Sequence, residues 1–312
     1  MSPKLEQALE LIREDRPDAV EKALALLQNT VYSFSMRVCG HPEDAEDTMQ
    51  DVLVKLLPYL AKFESPQALS VWLYKVARNR CLMNRRGAKN ARNRHVSLDE
   101  LMPSQAELHE LATGRDKSPE AHVLREEEQG RLRQAIGKVP PLYRMVLVLH
   151  DMEGLGTSEV AGVTGLREGT VRVRLHRGRL LLRRELERSA HAKNLAPRMS
   201  HAHVHDGRKT RPARCRKMFA ELSDYVDNLV ADAHRRQMDQ HLDECKPCVA
   251  FLDSLKSAVE KCQSYEPTCD MVRAEELRAD LMKKYQAALA ALHGSAHQAP
   301  KTTAIRAKSS ST

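Results

Sequence analysis

Residues 155–188, LGTSEVAGVTGLREGTVRVRLHRGRLLLRRELER, read as two helices joined by a tight corner. The first is short, Thr157 to Val163, with Thr157 or Ser158 placed to cap its N-terminus. Gly165 supplies the turn and Leu166 packs beneath it. The second helix opens near Glu168 and runs to about Glu187. Val171, Leu175 and Leu182 recur at helical spacing and face inward, while Arg172, Arg174, Arg177, Arg179, Arg183 and Arg184 occupy the other faces. From Gly165 to Arg188 there are eight Arg and three Glu. A charge excess of one sign, placed after such a turn, is the pattern of a helix-turn-helix. Its second helix enters the major groove with its N-terminal turns at base edges.

Around this stretch lies a chain of 312 residues with a net charge of +8. The length predicts two or three small domains, and the charge suits a polyanionic partner. Aromatic residues make up only 4 %, and Ala, Leu, Glu and Arg dominate, so the fold class expected is all-α. No uncharged apolar run reaches 18 residues, which predicts no membrane span. MSPKLEQALELIRED lacks the apolar core of a signal peptide, so a cytoplasmic protein is expected. Seven Cys in such a protein point to metal or redox chemistry, or to burial, before structural disulfides.

Lys4–Ile12 and Ala19–Val38 read as helices broken at Pro17, with Gly40 ending the second. A third starts at Pro42 and carries Glu43, Asp44, Glu46, Asp47 and Asp51 in its first turns. The helix dipole accounts for two or three acids there, not five. The excess suggests a basic protein partner. Val52, Leu53, Leu56, Leu57 and Leu60 form the buried stripe. In the next helix, Leu69 to about Arg86, Trp72, Leu73, Val76 and Leu82 are core by spacing. From Arg78 to Arg94 seven Lys or Arg occur with no acid, a composition suited to melted or single-stranded DNA.

The runs DAEDTMQDVLVKLL and WLYKVARNRCLMNRR, followed by the helix-turn-helix, resemble a bacterial sigma factor of the extracytoplasmic-function group over about residues 20–188. The resemblance implies a partner, core RNA polymerase, held through Asp44, Asp47, Gln50 and Asp51. It implies promoter DNA as a second partner. Arg78, Asn79, Arg80, Arg85 and Arg86 would meet the −10 element, with Asn79 near the pocket for a flipped base. Glu168, Thr170, Arg172, Arg174, Arg177 and Arg179 would meet the −35 element. Arg183 and Arg184, farther along, would touch phosphate. Val173 and Gly162 depart from the family's pattern. No catalytic residues are expected. An enzyme acting on DNA would need an arranged set of nucleophile and carboxylates, and none is present. The alternative is a one-component metal- or redox-sensing DNA-binding regulator without sigma activity, which the acidic face at Glu43–Asp51 disfavours.

His95–Glu128 holds nine acids against three bases, with Pro103, Gly114 and Pro119, and reads as a linker with a little helix. Ser189–Arg214 reads as a second linker with scattered His. Beyond it, Cys215 and the run His241-x3-Cys245-x2-Cys248 form a Cys3His set fit for closed tetrahedral zinc. His241 and Cys245 stand one helical turn apart, and Cys248 opens the following helix, whose N-terminal end favours thiolate. This segment resembles the zinc-binding anti-sigma domain, ordinarily a separate protein. The implied arrangement is an intramolecular contact between zinc domain and sigma domains. Cys39 and Cys81 sit in apolar patterns and are expected as core. A last amphipathic helix is expected over Met271–Leu292, then a disordered tail after Gly294. The organisation expected is two helical sigma domains (helical bundle and helix-turn-helix) joined by an acidic linker, plus a small helical zinc-binding domain. The boundaries are 1–94, linker 95–128, 129–190, linker 191–213, 214–293 and tail 294–312.

Overall fold

Proline and glycine set the frame of the N-terminal bundle. Its helices are α1 (Pro3–Arg13), α2 (Pro17–Cys39), α3 (Pro42–Leu56) and α4 (Pro66–Arg86), each opening on a proline whose missing N–H is no loss in a first turn. Gly40 ends α2 at φ 83°, in the left-handed region, and its N–H reaches the Met36 carbonyl. Leu24, Leu27, Phe34, Met49, Val52, Leu53, Leu69 and Leu73 are sealed between these helices. Trp72 is half-buried against Tyr59 and Phe63. Leu82, expected in this core, is exposed, because it lies at the bundle's edge and lines a cavity shared with the next domain. Cys39 and Cys81 are buried as expected. They are also joined as a disulfide between the ends of α2 and α4, a pairing that their apolar surroundings did not announce.

The computed structural model describes residues 3–14, 16–86, 96–103, 125–192 and 212–265, with isolated positions between 279 and 287. Among these, every regular element is helical, and no helix is long and apolar enough to cross a membrane. The expected tail, nearly all of the expected helix Met271–Leu292, His201, His203 and His205, and residues 104–124 of the acidic linker lie outside them.

The second domain contains α5 (Leu98–Leu101), α6 (Arg125–Lys138), α7 (Pro141–Leu147), a π-helical turn at Val148–Met152, α8 (Thr157–Thr164) and α9 (Glu168–Ala192). Gly156, not Thr157 or Ser158, is the N-cap of α8, and its N–H donates to Glu159 Oε2 at 2.8 Å. Glu159, three residues in, thus serves the N-cap N–H as the acidic member of a capping box does. Gly178 lets α9 approach α7. A Cβ there would stand 3.3 Å from the Tyr143 carbonyl oxygen. The start of the acidic linker is docked: Val96 donates to the Tyr143 hydroxyl at 2.9 Å, and Val96, Leu101 and Met102 are buried.

The third domain is α10 (Ala213–Val226), α11 (Asp232–Glu244) and α12 (Lys246–Gln263). α10 and α12 lie along α9 and bury Phe219, Leu222, Phe251 and Leu255. The other helix of the helix-turn-helix, α8, packs against α4.

Candidate nucleic-acid interface and metal centre

The first turns of α9 are open. Glu168, Thr170 and Arg172 are exposed, and Arg174 and Arg177 are half-buried. Arg179, predicted to face DNA, is only 1 % exposed. It makes a two-bonded contact to Asp151 at 2.6 and 2.8 Å and another to Asp227, which caps the C-terminus of α10, at 2.7 and 2.9 Å. Its Nη1 also reaches the Ser223 carbonyl at 3.3 Å. Burial alone would lower its pKa, but hydrogen bonds and charge from Asp151 and Asp227 outweigh that and raise it. The same bonds hold the Asp151 carboxyl below its ordinary range against the pull of burial. Arg179 is therefore removed from the DNA-facing set by its two carboxylates.

Arg183, expected on phosphate, is likewise buried. Its guanidinium lies 3.8 Å over the Phe251 ring and donates to Ser254 Oγ at 2.6 Å. His176 Nδ1 meets Ser223 Oγ at 2.9 Å. Burial, then the charges of Arg179 and Arg177, push its pKa down to about 4, so it is neutral near pH 7.

In the N-terminal bundle, Asn79 is exposed and Arg80 is half-buried, while the Arg85 and Arg86 side chains fall outside the described residues. Arg80 pairs with Asp51 at 2.8 Å, so a residue assigned to DNA meets one assigned to polymerase. Asp47 is exposed, and Asp44 and Gln50 are half-buried on the same helix. Arg78 donates to the Val163 carbonyl of α8 at 3.5 Å. Arg78 and Arg174 line one cavity of about 140 Å³ between the domains, together with Arg144. Burial lowers the pKa of both Arg78 and Arg174, and their mutual repulsion adds to the lowering at Arg174.

Deeper in this seam, Arg37 of α2 forms an ion pair with Glu153, and Tyr74 donates to Glu153 Oε2 at 2.6 Å. Tyr265, just past α12, lies under Arg37, 5.3 Å from guanidinium to ring centre, and accepts from Arg133 at 3.2 Å. Sequence reasoning missed Arg37, Asp151, Glu153, Asp227 and Tyr265. A signal existed for two of them: Asp151 and Glu153 interrupt the apolar run PLYRMVLVLHDMEGL, and acids in a buried run are paired.

The predicted metal set comes together. Cys215 sits in the first turn of α10, His241 in the last turn of α11, and Cys245 and Cys248 at the start of α12. Their ligand atoms all lie within 4.8 Å of one another. His241 Nε2 is 3.6 Å from Cys215 Sγ and 3.3 Å from Cys248 Sγ. The S···N edge of a tetrahedron with zinc bond lengths is about 3.5 Å. The four residues therefore fit a tetrahedral metal ion. Burial raises the Cys248 thiol, as do the neighbouring thiols of Cys245 and Cys215. A bound cation would reverse that balance. Burial lowers His241, favouring the neutral form that ligates. Behind the cluster, Cys215 and Cys248 share a small cavity wall with Phe219 and Phe251. Those rings touch His176 and Arg183 of α9.

Comparison with known proteins agrees with this geometry. Residues 24–91 match "Sigma-70 region 2", 129–182 match "Sigma-70, region 4", and 215–248 match "Putative zinc-finger". The ECF RNA polymerase sigma factor SigW of Bacillus subtilis is 25 % identical over 60 % of this chain and 98 % of its own length. The ECF RNA polymerase sigma-E factor of Escherichia coli is 30 % identical over 44 % of this chain and 70 % of its own length. The chain belongs to the ECF RNA polymerase sigma factors. Among solved structures, the sigma factor RpoE of Bartonella quintana in complex with the anti-sigma factor NepR is 18 % identical, covering 53 % of this chain and 94 % of that one at a TM-score of 0.37. In this sigma factor the zinc-finger-like, anti-sigma-like domain is fused behind region 4. Region 2 corresponds to α2–α4 and region 4 to α6–α9.

Proposed function

We propose that this sigma factor brings core RNA polymerase to a set of promoters in the cytoplasm, and that its C-terminal domain, folded around Zn²⁺, holds it in a closed state. Asp44, Asp47 and Gln50 would meet the polymerase, with Asp51 shared between that surface and Arg80. Arg78, Asn79, Arg80, Arg85 and Arg86 would meet the −10 element. Glu168, Thr170, Arg172, Arg174 and Arg177 would meet the −35 element, without Arg179. The sigma factor performs no reaction itself, because phosphodiester chemistry belongs to the polymerase.

The observation that carries the closed-state reading is the meeting of Arg78 and Arg174 at one cavity. Elements centred 25 base pairs apart are separated by roughly 85 Å of duplex at 3.4 Å per pair. Arginines that share a cavity cannot serve both. The C-terminal domain supports the same state from the other side, through Asp227 on Arg179 and Tyr265 on Arg37. The metal acts at a distance of one layer, since Cys215 and Cys248 anchor the helices whose Phe219 and Phe251 rest on α9.

The test is in vitro transcription by core polymerase with full-length wild type and Asp227→Arg on a genomic promoter library. The expected result is promoter-specific transcription that rises in Asp227→Arg, because two cations then face each other across the interface. A fall would assign the fused domain a supporting role. Absence of any specific transcript from either protein would overturn the promoter function.

A further inference from the structure

The Cys39–Cys81 disulfide lies within region 2, away from the metal cluster, and no role assigned so far uses it. It joins the last residue of α2 to α4, with Cα atoms 5.9 Å apart. Its neighbours on both strands of the link are seam residues. Val38, beside Cys39, accepts from Arg144 of region 4 at 3.4 Å. Arg37, two residues before Cys39, carries the ion pair to Glu153. On the other side, Arg78 stands one helical turn before Cys81 and donates to Val163 of α8. The bond therefore holds together the two pieces of region 2 that grip region 4. Cys81 also lines the seam cavity of about 140 Å³, beside Arg78, Arg144 and Arg174. The cavity gives a small thiol or disulfide a path to the Cys81 sulfur. Cys39 does not line that cavity.

We infer that Cys39 and Cys81 form a redox-exchangeable tie, in which oxidation preorganises region 2 for the closed state and reduction loosens it. The inference rests on the closed-state reading above. It also follows the rule that disulfides in reducing compartments are transient and redox-sensing more often than structural. The exchange partner is a low-molecular-weight disulfide. The Cys81 thiolate attacks one of its sulfurs, forming a mixed disulfide and releasing one thiol. The Cys39 thiolate then attacks Cys81 Sγ, closing the internal bond and releasing the second thiol. The two cysteines lose two electrons and two protons, and the small disulfide gains both. In reverse, a small thiol reaches Cys81 through the cavity, which widens when regions 2 and 4 part. The closed state thus shields its own tie, and opening exposes it.

The experiment uses full-length zinc-loaded protein, equilibrated with oxidised glutathione or with dithiothreitol. Thiols are mapped by alkylation and peptide mass, zinc content is measured, and transcription is assayed with core polymerase. The expected map has Cys39 and Cys81 linked after oxidised glutathione and alkylated after dithiothreitol, with zinc unchanged. Reduced wild type should transcribe at least about fivefold more than oxidised, the lower end of allosteric couplings. Cys39→Ser/Cys81→Ser should stay at the reduced level in both conditions, and Cys39→Ala/Cys81→Ala does the same duty if the serine pair folds poorly by circular dichroism. Free Cys39 and Cys81 after oxidised glutathione would overturn the inference. So would a redox response of undiminished size in the folded double variant. Transcription missing in both states would instead overturn the promoter function, and the peptide map would still decide whether the tie exchanges.

Discussion

The two halves of α9 have nearly the same composition and opposite fates. Residues 168–177 carry Arg172, Arg174 and Arg177, and residues 178–184 carry Arg179, Arg183 and Arg184, while Arg188 near the far end is exposed again. Arg172 and Arg179 are seven residues apart, so they lie within about 20° of each other around the helix. Yet Arg172 is exposed and Arg179 is 1 % exposed. The difference is what covers the helix at each level. Along its second half, α10 and α12 bring Ser223, Asp227, Phe251 and Ser254 to the arginines. A basic stripe thus divides into an open half suited to nucleic acid and a closed half that fastens a domain.

The comparison can be pressed hardest by removing the proposed metal. A domain of this size leans on its ion, and apparent zinc binding in such sites is about 10–16 kcal/mol. Chelation, or Cys245→Ser/Cys248→Ser, should therefore unfold α10–α12. Backbone hydrogen exchange should then rise across 176–188 while 168–174 stays near its wild-type level. Equal change in both halves would remove the distinction. Purified wild type should carry close to one zinc per chain by elemental analysis.

Next in size is Arg179→Ala. It strands Asp151 and Asp227 without their partner, and breaking a buried pair costs about 3–5 kcal/mol. Arg172→Ala, an exposed position, should stay within about 0.5 kcal/mol. Urea unfolding of the two variants measures the gap directly. Similar midpoints would mean that Arg179 is not fastened as described.

A smaller effect is set by pH. His176 titrates at about 4 in the folded chain against an ordinary 6.5, so the unfolded chain takes up the proton first. Stability from keeping it neutral is whole above 6.5 and is lost as pH falls towards 4. At pH 5 the loss is about 2 kcal/mol. In His176→Gln, a side chain that stays neutral, the stability difference between pH 7 and pH 5 should shrink by about that amount. An unchanged difference would place the acid sensitivity elsewhere. The smallest effect belongs to the open half: with zinc removed, Arg172→Ala should reduce the salt dependence of −35 DNA binding by about one phosphate contact.

Much of this was legible in the chain. The corner at Gly165 was legible because only glycine takes its φ of 69° without strain. The metal set was legible because three of its ligands, His241, Cys245 and Cys248, lie within eight residues at the spacing of helical turns. Asp151 was harder to read. Its partner Arg179 is 28 residues away, and the second partner of that arginine, Asp227, is 48 beyond it. No periodicity links such positions, since periodicity reports which face of one helix is apolar and not what arrives to cover it.

The sequence by itself determined the helices of the N-terminal bundle, their breaks at proline and glycine, the helix-turn-helix, and the four residues of the candidate metal cluster, because each depends on local backbone preference or on ligands spaced by helical turns. Only the tertiary structure decided which arginines of α9 are open, that Cys39 pairs with Cys81 across 42 residues, and that Arg37 meets Glu153. Those outcomes depend on surfaces from separate domains meeting. An arginine looks the same in sequence whether water, a phosphate or a distant carboxylate will face it.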